Sequence, residues 1–310
     1  MVLVWVPTEQ VAEAVAGLAG VQAEIVNLDQ AAADGDTTLP ASAAKVQFCV
    51  LPFFPQEPAL SALAKLPELQ VVQTQIAGID RIRPWVPAGV TLCNARGAHD
   101  AGTAEWVVGV MLASIREFPF FAAEQRAARW SQKFTGALAG RRVLIVGYGS
   151  IGAALERRLD GFEVEIRRVA RRARDGVSAI ADVAGLLPWA DVVVLLAPVT
   201  SETIGMVDAV FLAAMKDGAL FVNGARGVLV DQRALEAELT AGRLSAALDV
   251  TDPEPLGADS PLWARPNVFL TPHIAGSTPA SVRSSLALIR AQIERFCAGE
   301  PLLNMITGEY

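Results

Sequence analysis

Short apolar runs alternate with segments whose apolar residues recur at helical spacing along almost the whole chain. Before residue 100 the runs predict strands at Val2–Val6, Glu24–Asn27, Val46–Leu51, Leu69–Gln73 and Val90–Leu92, with helical segments such as Gln10–Leu18 and Ala59–Lys65 between them. After residue 140 they predict strands at Arg142–Val146, Glu163–Val169, Asp191–Leu196, Ala219–Val222, Ser245–Asp249 and Asn267–Leu270. Strand–helix alternation of this kind is the signature of a parallel sheet with helices on both faces, so the fold class is α/β with two doubly wound parallel-sheet domains. Two longer helical patterns, Thr103–Glu117 and Pro279–Cys297, join them. In the second, Val282, Leu286, Ile289, Ile293 and Phe296 fall on one helical face. If that helix returns to the first unit, the first domain is discontinuous, 1–98 with 279–310, and the second is 99–278. Thr103–Glu117 is apolar around more than one face, which calls for burial either in a core or in a subunit interface.

The strand at Arg142–Val146 ends in Gly147-Tyr148-Gly149-Ser150-Ile151-Gly152, and a helical pattern from Ala153 to Leu159 follows at once. That order suits a pyrophosphate. The first glycine permits a tight turn, the second lets backbone approach the phosphates, and the third lets the helix pack closely on the strand. The helix N-terminus then offers N–H groups and partial positive charge to the anion. Placed between strand and helix, the motif predicts a dinucleotide site.

A site for NAD(H) usually carries Asp or Glu about twenty residues on, against the ribose 2′-hydroxyl. Here the second strand ends in a run containing Arg167, Arg168, Arg171 and Arg172, and no carboxylate follows until Asp175. Arginine matches a 2′-phosphate through two charge-assisted hydrogen bonds. The expectation is therefore NADP(H) preferred, with NAD(H) possible, and with Arg168, Arg171 and Arg172 as the candidate phosphate ligands. Glu163 and Glu165 are expected on the strand itself.

Length and composition narrow the class. At 310 residues the chain suffices for two ordinary domains, and 52% hydrophobic with 19% charged residues fits a packed enzyme. A net charge of −7 and a pI near 5.0 give no basic field for nucleic acid or anionic membrane. Cys49, Cys93 and Cys297 stand far apart without metal-like spacing, which points to reduced thiols and a cytoplasmic setting, with no metal site expected. No uninterrupted apolar run approaches the roughly 20 residues that span a bilayer, so no membrane partner is expected.

Three strand ends carry chemistry. Asn223-Gly-Ala-Arg226-Gly227 follows one strand, Asp249-Val-Thr-Asp-Pro-Glu254-Pro the next, and Leu270-Thr-Pro-His273-Ile-Ala-Gly-Ser-Thr278 the last. In open parallel sheets ligands bind beyond the carboxyl ends of strands. A cation for the substrate, a proton donor and a carboxylate to keep it charged together fit a ketone-reducing site.

These motifs, in this order, make the chain resemble the D-isomer-specific 2-hydroxyacid dehydrogenases over nearly its full length. The matching residues include Ala77-Gly78-Ile79-Asp80 and Asp231 beyond Arg226. The resemblance implies a Rossmann cofactor domain and a flavodoxin-like substrate domain. It also implies that Arg226 binds the substrate carboxylate and polarises the keto oxygen. His273 would donate the proton, and Glu254 would hydrogen-bond it and keep it protonated near neutrality. The backbone N–H groups of Ala77 and Gly78 would hold the carboxylate, Asp249 would contact the nicotinamide carboxamide, and Ala197, Pro198 and Ala225 would line the cofactor. A homodimer is the assembly the family implies.

Glu254, rather than glutamine, argues against formate oxidation, although Pro52-Phe53-Phe54 is similar to that branch's substrate loop. The expected activity is NADPH-preferring reduction of small 2-oxo acids such as glyoxylate or hydroxypyruvate to D-2-hydroxy acids. Phe53, as a substrate-binding residue, would also admit an aromatic acid such as phenylpyruvate. The alternatives are an NAD-dependent D-lactate- or phosphoglycerate-type dehydrogenase and a corepressor-like NAD(H)-responsive binding protein on the same fold. Against the last, Gly299–Tyr310 is short for the extension such proteins carry. His99, where many relatives carry asparagine, is given no role.

Overall fold

The computed structural model describes residues 1–29 and 39–308, which divide into two compact units, Met1–His99 with Pro279–Tyr310 and Asp100–Thr278. In the first, β1 (Val2–Val6), β2 (Val21–Ile25), β3 (Phe48–Val50), β4 (Val71–Gln73) and β5 (Thr91–Cys93) form a parallel sheet in the order β2-β1-β3-β4-β5. That is the flavodoxin-like order. Alternate strand residues serve opposite faces: Val4, Val6, Phe48, Val50 and Val71 pack in one cluster, and Trp5, Cys49, Leu51 and Val72 in the other. The C-terminal helix Pro279–Ala298 closes the first cluster with Ile289 and Ile293, so the last segment of the chain completes the core begun by the first. Its Gln292, fully buried, satisfies its amide against Gln73 Oε1 and Leu303 O, both at 2.9 Å. Polar groups buried this deeply need such partners.

The second unit holds β6 (Arg142–Val146), β7 (Glu165–Ala170), β8 (Ser178–Ala179), β9 (Val192–Leu195), β10 (Leu220–Asn223), β11 (Ser245–Leu248) and β12 (Val268–Leu270). They run parallel in the order β12-β11-β10-β9-β6-β7-β8. This is the Rossmann arrangement, extended by one strand, and it places the topological switch point between β6 and β9. Val143 and Ile145 face one layer with Ala104, Val107, Met111 and Leu155; Leu144 and Val146 face the other with Phe211, Leu212, Leu235 and Leu239. The helix Asp100–Ile115 thus buries its core side against its own unit's sheet. Among the described residues no single helix is long and apolar enough to cross a membrane.

Two expectations from sequence shift. The second strand lies at Val21–Ile25, earlier than Glu24–Asn27, because its register is set by pairing with Val2–Val6. The strand expected at Glu163–Val169 begins at Glu165, because Gly161 (φ 88°) and Glu163 (φ 57°) are left-handed and turn the chain before pairing can start. Glu163 therefore precedes the strand instead of lying on it. The same shift makes Ala170 the last strand residue, with Arg171 and Arg172 just beyond it.

Candidate active site

Gly147 sits at the switch point with φ +102°, where a Cβ would lie 2.3 Å from Ala197 N and 2.4 Å from Leu196 C. Nothing larger than glycine fits, and the loop presses directly on the exit of β9. The Gly147 and Tyr148 N–H groups both donate to Val169 O, at 2.9 and 2.8 Å, which ties the loop to the end of β7. At Gly152 a Cβ would stand 3.1 Å from the Tyr148 ring and 3.3 Å from Ile145, so the helix Ser150–Leu159 lies tight on the strand. Gly149 caps that helix with no side-chain hydrogen bond, and the space a Cβ would take there is open. An open glycine cradle over an uncapped helix N-terminus fits a pyrophosphate, and these are the residues that would hold one. Ser150 turns its hydroxyl to Asp100 Oδ1 at 3.0 Å.

At the ribose side the candidate arginines do different things. Arg168 grips Glu156 through both guanidinium arms, with Nε 2.7 Å from Oε2, and Glu156 also accepts the Tyr148 hydroxyl. Chiefly through the Arg168 hydrogen bond, the Glu156 carboxyl is held below its ordinary range; burial, then Glu156, pushes the Tyr148 hydroxyl up. Arg171, beyond the strand end, forks onto Glu202 at 3.1 and 3.3 Å with both side chains more than half exposed. Arg172 is exposed, and Arg167 stacks 4.3 Å over Trp189.

The catalytic candidates leave the neighbouring strands β10, β11 and β12. Asn223, buried at the tip of β10, clasps the turn that follows: its Oδ1 accepts Ala225 N at 3.0 Å and its Nδ2 donates to Arg226 O at 3.1 Å. Arg226 Nη1 donates to Ala225 O at 2.9 Å. A Cβ on Gly227 would lie 2.0 Å from Thr251 O, so the Arg226 turn and the loop after β11 touch backbone to backbone. Glu254 on that loop meets His273, with Oε1 2.6 Å from Nδ1 and both side chains about one-third exposed. His273 itself has φ +54°, an uncommon conformation for a side chain of this size. In the other unit, His99 is buried, holds Gln75 O at 2.8 Å through Nε2 and packs edge-on against Phe53 at 5.5 Å. Ala77 and Gly78 follow β4, with Ala77 O accepting Asn94 Nδ2 at 2.7 Å.

The NAD-binding-domain model of the D-isomer-specific 2-hydroxyacid dehydrogenases matches residues 108–275, more than half of the chain. The chain belongs to that family. It is 33% identical over 261 residues to a glyoxylate/hydroxypyruvate reductase B of Salmonella typhimurium, covering 80% of this chain and 78% of the relative. It is 32% identical to the D-3-phosphoglycerate dehydrogenase of Archaeoglobus fulgidus, but spans only 47% of that protein's length. A solved 2-hydroxyacid dehydrogenase of Xanthobacter autotrophicus Py2, in complex with NADPH and MES, superposes with a TM-score of 0.83 at 30% identity, covering 99% and 98% of the two chains.

Beside the glycine loop and the three strand ends singled out from sequence, the structure places four residues to which sequence reasoning gave no role. Glu156 and Arg174 bracket Tyr148: Arg174 Nη2 donates to Tyr148 O at 2.6 Å, and the Arg168 and Arg174 guanidinium groups each lie 5.7 Å from the ring. Thr271 and Trp106 join the loop that carries His273. Asp231, matched as a motif residue, caps the helix Gln232–Thr240 by accepting Ala234 N at 3.1 Å.

Proposed function

We propose that this dehydrogenase reduces small 2-oxo acids, glyoxylate and hydroxypyruvate foremost, with NADPH as preferred cofactor. The observation that carries the reading is the 2.6 Å contact between His273 Nδ1 and Glu254 Oε1, on a loop that abuts the Arg226 turn. A carboxylate on Nδ1 fixes the imidazole's orientation and tautomer. The opposite nitrogen, Nε2, is then the one assigned to hand a proton to the keto oxygen. Arg226 is assigned to the substrate carboxylate, where its planar fork suits two parallel hydrogen bonds. In the other unit the N–H groups of Ala77 and Gly78 and the Phe53 ring are assigned to substrate. Ala197, Pro198 and Ala225 are assigned to line the dinucleotide. When bound, the dinucleotide supplies the hydride that ends on C2 while the proton ends on oxygen.

NADPH preference is supported by the end of β7, where Ala170 offers no carboxylate and Arg171 and Arg172 follow. The Xanthobacter relative's NADPH complex points the same way. We assign a second copy of the chain as partner, because Trp130 and Phe134 stand fully exposed beyond the helix Phe118–Arg126. Steady-state reduction of glyoxylate, hydroxypyruvate, pyruvate and phenylpyruvate, each with NADPH and NADH, tests the reading. Turnover of the small acids with NADPH favoured supports it. Cofactor binding without turnover of any acid would replace it with the binding-protein reading, and a best rate with phenylpyruvate would make Phe53 the selector.

A further inference from the structure

Asp249, 3% exposed at the tip of β11, spends its carboxylate on the neighbouring loop. Its Oδ1 accepts the Thr271 hydroxyl at 2.6 Å and the Ile274 N–H at 2.9 Å, and its Oδ2 accepts the Ala275 N–H at 2.9 Å. Its backbone carbonyl takes the His273 N–H at 2.8 Å. Four hydrogen bonds from one residue therefore span 271–275, with His273 in the middle at φ +54°. These hydrogen bonds hold His273 in that left-handed conformation.

The Thr271 hydroxyl is itself directed. Trp106 Nε1 donates to Thr271 Oγ1 at 3.0 Å, which leaves the hydroxyl's single proton to point at Asp249. The order Trp106 → Thr271 → Asp249 is a polarised chain ending on an ionised acceptor, and hydrogen bonds to ionised acceptors are the strong ones. The chemistry of the site also demands a carboxylate and not an amide. All three side-chain contacts are donors, so an asparagine would set its own NH2 against an N–H whichever way it turned.

We propose that Asp249 is the positioning residue for the proton donor, and that Trp106 and Thr271 serve it by orienting the carboxylate. The proposal rests on the 2-oxo acid reductase reading, and it moves Asp249's main role from the nicotinamide carboxamide to the His273 loop. Misplacing a catalytic group by about 1 Å costs on the order of 100-fold, and this is the loss expected for Asp249→Asn in kcat.

The test compares Asp249→Asn, Thr271→Val, Thr271→Ser and the wild-type enzyme. It reads kcat at saturating NADPH, the NADPH Kd by quenching of protein fluorescence, and hydrogen exchange of the peptide covering 270–276. Expected are a fall in kcat of about 100-fold for Asp249→Asn, an intermediate fall for Thr271→Val with recovery in Thr271→Ser, and an NADPH Kd within about 3-fold of wild type. Exchange in 270–276 should rise in the first two variants and not in Thr271→Ser. An NADPH Kd weakened about 10-fold or more, with kcat and exchange unchanged, would overturn the proposal in favour of the carboxamide contact. Because exchange and Kd need no substrate, a failure of the reductase reading shows as an inactive wild type and stays distinguishable.

Discussion

Arg168 is bound to Glu156 through both arms of its guanidinium group, across from the helix that follows the glycine loop. The pair also takes up the Tyr148 hydroxyl, so Arg168 braces the turn that would meet the pyrophosphate. Arg171 and Arg172 lie beyond the strand end, where the ribose would be. The two positions are therefore expected to separate on mutation. Arg171→Ala/Arg172→Ala should raise KM for NADPH by about 10- to 100-fold and leave KM for NADH unchanged, as loss of charged hydrogen bonds implies. Arg168→Ala should weaken both cofactors alike. Cofactor KM ratios for the two variants decide the point, and equal effects on NADPH and NADH in the double variant would return the phosphate to Arg168.

Replacing Glu254 by Gln keeps the size and one acceptor at His273 Nδ1 but removes the charge. Reduction of the best 2-oxo acid should fall by about 100- to 1,000-fold in kcat/KM, within the range of a lost general acid. The thermal midpoint should move by only a few degrees, because the pair is about one-third exposed and surface pairs contribute little. A kcat/KM within a few-fold of wild type would remove Glu254 from the mechanism.

The amino-terminal end of the second sheet's central strands predicts acid sensitivity without catalytic effect. Asp191 is 8% exposed and lies between Lys216 Nζ at 2.6 Å and the Arg142 N–H at 2.9 Å. Burial alone would raise its carboxyl, but the hydrogen bonds from Lys216 and Arg142 outweigh it and hold it down to about 2. A carboxyl lowered in the folded state adds stability that is present above its unfolded value near 3.8 and is lost as pH falls toward about 2. The contribution is on the order of 2 kcal/mol at neutral pH. Asp191→Asn should lower the urea midpoint at pH 7, narrow the difference from wild type between pH 4 and pH 2, and leave kcat unchanged. A gap that persists unchanged at pH 2 would show that the ion pair is not its source.

Trp130 and Phe134 are 97% and 104% exposed, an unusual expense of large aromatic surface. Trp130→Ser/Phe134→Ser should halve the mass seen in sedimentation equilibrium while the circular dichroism of the folded chain persists. A wild-type chain that sediments as a monomer would dispose of the assembly altogether.

The parts of the fold open to reading from sequence were those where one residue type alone suffices. Gly147 admits no side chain, and the apolar runs ending at Val146, Val222 and Leu270 mark strands, the first two of them buried. The start of β7 was misjudged because Glu163-Val-Glu-Ile-Arg-Arg alternates as a strand should, while the left-handed backbone at Glu163 leaves no mark in composition. The Glu156–Arg168 pair joins a helix to a strand, and its existence depends on the register between them, which no spacing rule supplies. Thr271 and Trp106 lie 165 positions apart and meet only because a helix crosses the end of β12. His99 shows the converse: a histidine beside catalytic-looking motifs whose ring holds a backbone carbonyl and an aromatic neighbour.

The contact of Gly227 with Thr251 has a mechanical meaning. With no room for even a methyl group between the two backbones, the turn bearing Arg226 and the loop bearing Glu254 meet in direct contact, and a side chain at Gly227 would push them apart. The positions proposed for the substrate's cation and for the proton donor's partner, Arg226 and Glu254, are therefore linked through one backbone contact. Gly227→Ala would wedge that contact open, and the loss would fall on both functions together.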